Sequence, residues 1–433
     1  MTSTTDDPTT HDTIVVRLME ENTTLKNEVS TLNSANSTLN SANFTLNSEN
    51  SNLTQRLMEQ VRRDNEAGPL NQHTPFSVTN YLPAMLLKII SERGNLEEAS
   101  VQQHRNSTLL FLDISGYTKL AESMGKEGPA GTEKLSKALS IFFEKAIKII
   151  DNNGGDVISF CGDALLTVFP SEGELVSPGE GDDDDDSDNV ISRRLKLSAS
   201  EESKRHVEAF ARVRLTVQCA LEAMAALSPY VISESVTLDL KIMVGFGTLS
   251  SHVVASSSRA TFLVTGEPLA QITKGEHLAA PGKIIISSEA QAMCKDNISV
   301  ASIVDTTEFV QLMGLVGAAA AQKRDPPIKI TPNHLLVCAR GLEKTTVEEL
   351  LKTGEMWTRN KLLYTSLDNG LSKHTTCTTV FVMPKSDRIY SKNSLVVNKA
   401  LQQIFLIAHT ICEKFNGFFR QFVFDDKGLG KYS

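Results

Sequence analysis

Short apolar runs alternate with segments whose apolar residues recur every three or four positions through the middle of the chain. The short runs are typical of buried strands, and the three-to-four spacing is typical of amphipathic helices. The predicted strands are 107–114, two strands around a tight turn within 156–169, 238–246, a hairpin within 249–265, and 283–287. The predicted helices are 117–123, 130–151, 205–227 and 268–278. This order of elements indicates an α+β fold in which helices pack on a sheet.

A heptad pattern precedes this region. Leucines recur every seven residues at Leu18, Leu25, Leu32, Leu39, Leu46 and Leu53, which predicts a coiled coil over 14–62. Asparagines at the other seam position favour a parallel dimer, because two amides can bond to each other across the seam. Since Ser, Thr and Asn are mediocre helix formers, a low-complexity polar tether remains the alternative. Residues 1–13 are expected to be disordered, and 63–104 to form a linker with a short helix near 80–92.

The element pattern begins again near the end of the chain. The segment 377–384 resembles the first strand, 393–417 the long helix, and 418–426 the strand after it, so that Gly417 matches Gly155 and Asp425 matches Asp163. We therefore expect a partial second copy of the domain over 373–433, joined by a connecting region over 296–372. Because this copy stops after about its first third, the chain reads as a fragment or a truncated gene model.

Composition narrows the class of protein. With 40% hydrophobic and 22% charged residues, the 433-residue chain has the makeup of a soluble globular protein. A net charge of −9 argues against nucleic-acid binding and against binding to anionic membranes. The six cysteines are widely separated and show no CxxC spacing, so that neither zinc nor a disulfide framework is expected. With no apolar stretch of about 18 residues, no membrane span is expected, and a cytoplasmic location fits best.

A polar and acidic segment, 171–204, interrupts the domain between the predicted strand pair and the next helix. It contains five consecutive aspartates, Asp182 to Asp186, whose mutual repulsion predicts a solvated loop. A calcium site is the less favoured alternative, because the aspartates lack the spacing of a calcium-binding loop.

Two aspartates lie where an apolar strand ends. Asp113 follows the run LLFL and precedes a Ser-Gly turn, and Asp163 lies at the turn between two apolar strands. Either aspartate alone reads as an ordinary turn former. If the first strand pairs beside the hairpin, however, the two carboxylates meet at one sheet edge and repel each other unless divalent ions lie between them. The backbone amides that follow, 114–118, would then receive phosphates at a helix N-terminus.

The motifs FLDISGYT (111–118) and FCGDAL (160–165) together resemble the catalytic domain of class III adenylyl and guanylyl cyclases, and are similar to those of the soluble, bicarbonate-responsive type. The resemblance implies a ferredoxin-like βαββαβ domain over 105–295. It also implies two Mg²⁺ or Mn²⁺ ions during ring closure of a nucleoside triphosphate. The implied metal ligands are Asp113, Asp163 and the carbonyl of Ile114, and the implied phosphate-binding residues are Gly116, Tyr117, Thr118 and Lys241. A solvent-facing lysine at a strand edge is the alternative for Lys241.

The sequence also departs from this family's pattern. The second domain should supply base recognition and an Asn/Arg pair, but the chain ends before the pair, and Gln421 stands where adenine-specific members have a lysine. Met383 replaces the first metal aspartate in the second copy, which implies one active site. In bicarbonate-responsive relatives a lysine precedes the second motif and an arginine lies on a later helix; here these positions hold Ser159 and Thr273, so no bicarbonate response is expected.

The resemblance favours an adenylate cyclase that converts ATP to cyclic AMP and pyrophosphate. It would work with a second cyclase domain, in cis or from a partner, and would form a homodimer through the coiled coil. On this hypothesis the present chain alone has little activity. The alternative is a catalytically lapsed module that binds nucleotide and signals through the coiled coil. A purely structural scaffold would have to treat the paired aspartate motifs as accidents.

Overall fold

A computed structural model describes residues 82–94, 96, 100–175, 199–233, 236–256, 259–317 and 393–415, together with the single residues 328, 338, 391, 417 and 419. The predicted coiled coil, most of the acidic segment and the strands of the second copy lie outside these residues. The family-like motifs, 111–118 and 160–165, lie within them.

The described residues form seven α-helices and ten strands. The helices are α1 (Ala84–Arg93), α2 (Tyr117–Gly125), α3 (Pro129–Asn152), α4 (Ala199–Leu227), α5 (Glu267–Gly275), α6 (Ser288–Cys294) and α7 (Ser394–Lys414). The strands are β1 (Ser100–Ser115), β2 (Asp156–Cys161), β3 (Ala164–Phe169), β4 (Gly173–Leu175), β5 (Tyr230–Ser233), β6 (Val236–Ala255), β7 (Ala260–Gly266), β8 (Lys283–Ser287), β9 (Ile298–Ser302) and β10 (Phe309–Leu315). Short 3₁₀ turns follow α5 and α6.

One mixed sheet organises the molecule. Its strands follow the order β2-β3-β1-β6-β8-β10-β9, while β4 pairs with β1, and β5 and β7 pair with β6. All pairs are antiparallel except β6 with β8, which run parallel. The mixed sheet with helices confirms the predicted α+β class.

Helices cover both faces of the sheet. One face packs against α2, α3, α4 and α6 through a large apolar core, in which Phe142, Ile150 and Leu227 are almost fully buried. The other face packs against α1 and α5, where Met85, Leu269 and Ile272 meet apolar residues of the strands. Burying apolar side chains on both faces stabilises the sheet and fixes the register of its strands.

The two central strands are longer than their apolar runs predict. β1 begins at Ser100, seven residues before the predicted start, and β6 is continuous over 236–255 where a strand and a separate hairpin strand were expected. Their extra residues include the buried polar side chains of Gln102 and His104. His104 lies 2.8 Å from Ser251 Oγ and 3.1 Å from the Ser171 carbonyl, so its ring nitrogens have hydrogen-bond partners although it is buried. A strand whose buried side chains are polar and hydrogen-bonded lacks the apolar periodicity from which strands are predicted.

Two predicted boundaries differ from the structure. Within the predicted loop 171–204 the structure has β4 at its start and α4 beginning at Ala199. Beyond residue 295, where the domain was expected to end, β9 and β10 continue the same sheet through the pairing of β10 with β8. The sheet therefore extends about twenty residues into the predicted connecting region, and its last described strand ends at Leu315.

Helix α1 is tied to the sheet by a distant carboxylate. The Ala84 and Met85 amides donate to Asp156 Oδ1 and Oδ2, each over 2.9 Å, and Asp156 is buried at the start of β2. The preceding residue, Pro83, gives no side-chain cap, so Asp156 takes the place of a local N-cap. The helix dipole favours a negative charge at this position. Helix α1 is therefore fixed to β2, the strand that leads into the turn carrying Asp163.

Helix α7 lies within the range 393–417 predicted for the second copy. The Gly417 amide donates to the Cys412 carbonyl over 2.8 Å, as the Gly155 amide donates to Ile150 over 3.0 Å at the end of α3. The predicted alignment of Gly417 with Gly155 pairs these positions, and the two helix ends share the same hydrogen-bonding pattern. The predicted strands on either side of α7 lie outside the described residues.

Helix α7 packs on the hairpin of β6 and β7. Leu401 and Phe405 are buried against Val254 and Leu263. The Gln402 side chain accepts from the Ala255 amide over 2.9 Å and donates to the Ala255 carbonyl over 2.6 Å, which pairs it with the strand backbone. By length and composition alone α7 is also apolar enough to cross a membrane, a test that core helices of soluble proteins pass as well. Among the described residues, this helix departs from the expectation of no such segment.

We predict that Asp156→Ala lowers the free energy of unfolding by about 2–3 kcal/mol, because two buried charge-assisted hydrogen bonds and a helix cap are lost. Asp156→Asn should fall between wild type and Asp156→Ala, since the amide keeps one acceptor oxygen. Urea denaturation followed by circular dichroism measures both variants. Equal stability of wild type and Asp156→Ala would contradict the role given to this carboxylate.

Candidate functional site

The site is built at the end of β1. Asp113 lies two residues before the strand ends, its side chain is 17% exposed, and its Cα partners are Ala164 on β3 and Lys241 on β6. The apolar residues before it, including Leu110 and Leu112, are buried in the core and hold this part of the strand in place. A half-buried carboxylate at this position has to be balanced by a cation or by hydrogen-bond donors.

Asp163 reaches the same edge from the neighbouring hairpin. Gly162 and Asp163 form the two-residue turn between β2 and β3, whose last pair is Cys161 with Ala164. Gly162 has φ 70°, a conformation that a two-residue turn of this kind requires at its first position and that glycine adopts without strain. Asp163 directly precedes Ala164, the residue paired with Asp113. The structure therefore brings the two predicted aspartates to adjacent positions.

Lys241 joins the aspartates from the other side. Its Nζ lies 3.4 Å from Asp113 Oδ2, and its side chain is 28% exposed. The alternative of a lysine on the solvent side of a strand edge is wrong, because β6 is a central strand with β1 and β8 on either side. Of the residues expected in the site, Asp113, Asp163 and Lys241 lie together.

The charges of these three residues interact. Burial raises the pKa of Asp163 above its ordinary value, and the negative charge of Asp113 raises it further. A hydrogen bond from its own backbone and the positive charge of Lys241 act in the opposite direction and lower the pKa. One ammonium therefore partly offsets two carboxylates, and the cluster has an excess of negative charge that favours a cation.

A helix N-terminus lies beside the carboxylates. Gly116 follows β1 with φ 91°, which glycine adopts readily, and α2 begins at Tyr117. Gly116 and Thr118 are exposed, whereas Tyr117 packs partly against the core. No side chain caps this helix, so the amides of its first turn are available to an anion. This geometry suits the phosphate-binding role expected of Gly116, Tyr117 and Thr118.

The donor set is chemically suited to a hard divalent cation. Two carboxylates, with the Ile114 carbonyl next to Asp113, provide the oxygen ligands that Mg²⁺ and Mn²⁺ prefer. In the described part of the chain, no three His, Cys, Asp or Glu side chains converge to hold a metal by themselves. Magnesium usually keeps several water or phosphate ligands, so the residues present fit a site that is completed by a bound phosphate.

Ser159 and Thr273, the two residues on which the expected bicarbonate insensitivity depends, each contact another residue of the chain. Ser159 Oγ lies 3.5 Å from Cys161 Sγ, and Thr273 Oγ1 donates to the Leu269 carbonyl over 3.0 Å. Lys274, the cation nearest to Thr273 in sequence, forms an exposed ion pair with Glu308 at 2.6 Å. The base-recognition position Gln421 and the second-copy position Met383 lie outside the described residues.

Sequence reasoning missed the ion pair between Lys241 and Asp113. The two residues come from strands separated by three helices and four strands, and only their register, Asp113 opposite Lys241, places them together. The signal available in the sequence was the odd placement of a lysine inside the apolar run that follows Leu240. Because a charged residue in a central strand requires a partner, this placement indicates an acidic neighbour for Lys241.

We predict that Asp163→Asn leaves the protein at least as stable as wild type at neutral pH, because a raised pKa means that the folded state disfavours the charged form. The destabilisation that the charged Asp163 causes is absent below about pH 3.8. It grows as pH rises from there through the folded-state pKa. Asn keeps the oxygen that accepts the backbone hydrogen bond. Thermal unfolding of both proteins at pH 3.5 and pH 7 measures the effect, and a clear loss of stability at pH 7 alone would contradict it.

Several relatives and solved structures with similar sequence or shape are named as nucleotide cyclases. Adenylate cyclase type 10 of Rattus norvegicus is 22% identical over 191 residues, which are 44% of this chain and 10% of that protein. The Homo sapiens enzyme of the same name is 22% identical over 211 residues, 48% of this chain and 11% of that protein. The chain thus spans about a tenth of these relatives. The guanylate cyclase domain of RhGC from Catenaria anguillulae, solved with GTP, is 13% identical, with 49% of this chain and 98% of that chain covered and a TM-score of 0.36.

The family comparison covers the residues that build the site. Residues 99–314 match the model of the adenylate and guanylate cyclase catalytic domain. This range runs from the start of β1 almost to the end of β10, and it contains both aspartates, Lys241 and the first turn of α2. Through residues 99–314 the chain therefore belongs to the class III nucleotidyl cyclases.

Proposed function

We propose that this chain is the metal-binding half of an adenylate cyclase, which converts ATP to cyclic AMP and pyrophosphate in intracellular signalling. The observation that carries the proposal is the cluster of Asp113, Asp163 and Lys241 beside the open N-terminus of α2. It combines ligands for a hard cation with donors for a triphosphate, which a structural sheet edge does not need. The names of the adenylate cyclase relatives support ATP as the substrate.

In the reaction, the ribose 3′-hydroxyl gives its proton to solvent water and its oxygen bonds to the α phosphorus, while the bond from that phosphorus to the oxygen bridging to the β phosphorus breaks. Asp113, Asp163 and the Ile114 carbonyl would hold the two metal ions, Mg²⁺ or Mn²⁺. When bound, these ions lower the pKa of the 3′-hydroxyl and offset the charge of the phosphates. The amides of Gly116, Tyr117 and Thr118 bind the departing β and γ phosphates, and Lys241 binds the terminal phosphate.

The remaining parts of the site are also proposals. A second cyclase domain, in cis or from a partner, supplies base recognition, and residues 373–433 are its first part. The matching helix ends of α3 and α7 support the duplication. Residues 14–62 form a coiled coil that joins two copies of the chain. None of the five described cysteines forms a disulfide bond, which supports a reducing, cytoplasmic location.

We expect Asp113→Ala and Asp163→Ala each to weaken Mn²⁺ binding by at least tenfold, because each removes one of two carboxylate ligands. Calorimetry with Mn²⁺ and with 3′-deoxyATP, which lacks the attacking oxygen, measures both affinities on the full chain. Asp296→Ala, which removes an exposed carboxylate from the turn after α6, is the matched control and should bind like wild type. Unchanged metal affinity in both site variants would refute the proposed ligands.

Bicarbonate should change 3′-deoxyATP binding less than twofold, because a small hydrated anion needs charged donors that this site lacks. Ser159 and Thr273 bring only hydroxyls, and Lys274 is paired with Glu308 at the surface. The test compares sodium bicarbonate with equal sodium chloride at fixed pH. A several-fold increase that disappears in Lys274→Ala would mean that Lys274 leaves Glu308 to bind the anion.

A further inference from the structure

Lys241 is placed to act on the metal site itself. Asp113 and Lys241 face each other across the central strand pair, with Nζ 3.4 Å from Oδ2. The Lys241 side chain is 28% exposed and the Asp113 side chain 17% exposed, so water screens their attraction less than it does for a surface pair. In the structure the ammonium therefore stands beside a carboxylate oxygen that a divalent cation would need as a ligand.

The same lysine influences the second carboxylate. Asp163 directly precedes Ala164, the Cα partner of Asp113, so the positive charge of Lys241 also acts on this carboxylate. With Lys241 in place the cluster has one excess negative charge, and without it the cluster has two. The ammonium thus substitutes in part for a metal ion in balancing both aspartates.

We propose that Lys241 is an internal competitor of the divalent cation, which holds Asp113 in the free protein and leaves it when a triphosphate binds. This inference rests on the proposed function. Lysine suits such an exchange, because its ammonium is a point charge on a flexible four-carbon stem. The first turn of α2, where the phosphates would bind, follows Asp113 after three residues, so both partners of the ammonium lie at the same end of β1.

Metal and nucleotide then bind with positive coupling. A triphosphate draws the ammonium away from Asp113 and frees the carboxylate for the metal, and by linkage a bound metal raises the affinity for the triphosphate by the same factor. A lysine that only contacts phosphate has no such effect on the metal in the absence of nucleotide. The two roles therefore predict different results when Lys241 is replaced. A competitor raises the Mn²⁺ affinity of the nucleotide-free protein when it is removed, and a lysine that only contacts phosphate leaves that affinity unchanged.

The experiment is a Mn²⁺ titration of the full chain by electron paramagnetic resonance, with and without saturating 3′-deoxyATP, after subtraction of Mn²⁺ bound by nucleotide alone. In wild type the nucleotide should raise Mn²⁺ affinity by about tenfold. In Lys241→Met, Mn²⁺ affinity without nucleotide should rise several-fold, and the gain in affinity on adding nucleotide should shrink by the same factor. Lys241→Arg retains the charge and should keep both the weaker free-state binding and the coupling.

Lys283→Met is the matched control. Lys283 is the exposed Cα partner of Lys241 on β8, so its replacement removes the same charge one strand away and should leave Mn²⁺ binding as in wild type. Equal gains in Lys241→Met and Lys283→Met would indicate a general charge effect and overturn the proposal. So would unchanged or weaker Mn²⁺ binding by folded Lys241→Met without nucleotide. If Asp113→Ala bound Mn²⁺ as tightly as wild type does, the proposed function itself would be overturned.

Discussion

Two carboxylates and one ammonium share a space at the end of β1 that water reaches only in part, and the local structure is arranged around their charges. Asp113 and Asp163 repel each other, and Lys241 offsets only one of the two charges. The strands cannot move apart to relieve the repulsion, because Leu110 and Leu112 before Asp113 and Leu165 after Asp163 are fixed in the core. The site is therefore rigid and electrostatically incomplete, a condition in which a bound cation gains affinity without costly rearrangement.

The sequence was most informative where apolar periodicity and turn chemistry coincide. The end of β1 near Asp113, the hairpin around Gly162 and Asp163, and helices α2 and α3 were predicted within a few residues, because each combines a clear period with a glycine or a capping position. The polar first half of β1 was not predicted, since its buried side chains are satisfied by residues remote in sequence such as Ser171 and Ser251. The pairing of Lys241 with Asp113 needed the strand register, which no local pattern specifies.

The β6–β7 hairpin holds helix α7 against the domain. His252 is fully buried and lies 3.1 Å from Asn398 Oδ1 on α7 and 2.8 Å from Thr265 Oγ1 on β7. Burial lowers its pKa to about 4, so the ring is neutral near pH 7 and donates from Nδ1 to the Asn398 oxygen while Nε2 accepts from Thr265. Together with Gln402 on the Ala255 backbone, this gives α7 a polar contact of fixed register, where an apolar face alone would permit sliding.

The long separation of β1 from β6 also bears on how the molecule assembles. A nascent chain that has emerged only as far as α4 already contains both aspartates, the glycine turns and the first turn of α2, yet it lacks the strand that pairs with β1 over its whole length. Contacts between segments so distant in sequence close large loops and form late and slowly. Both aspartates thus lie in the N-terminal half, and Lys241 joins them only when the centre of the sheet has closed.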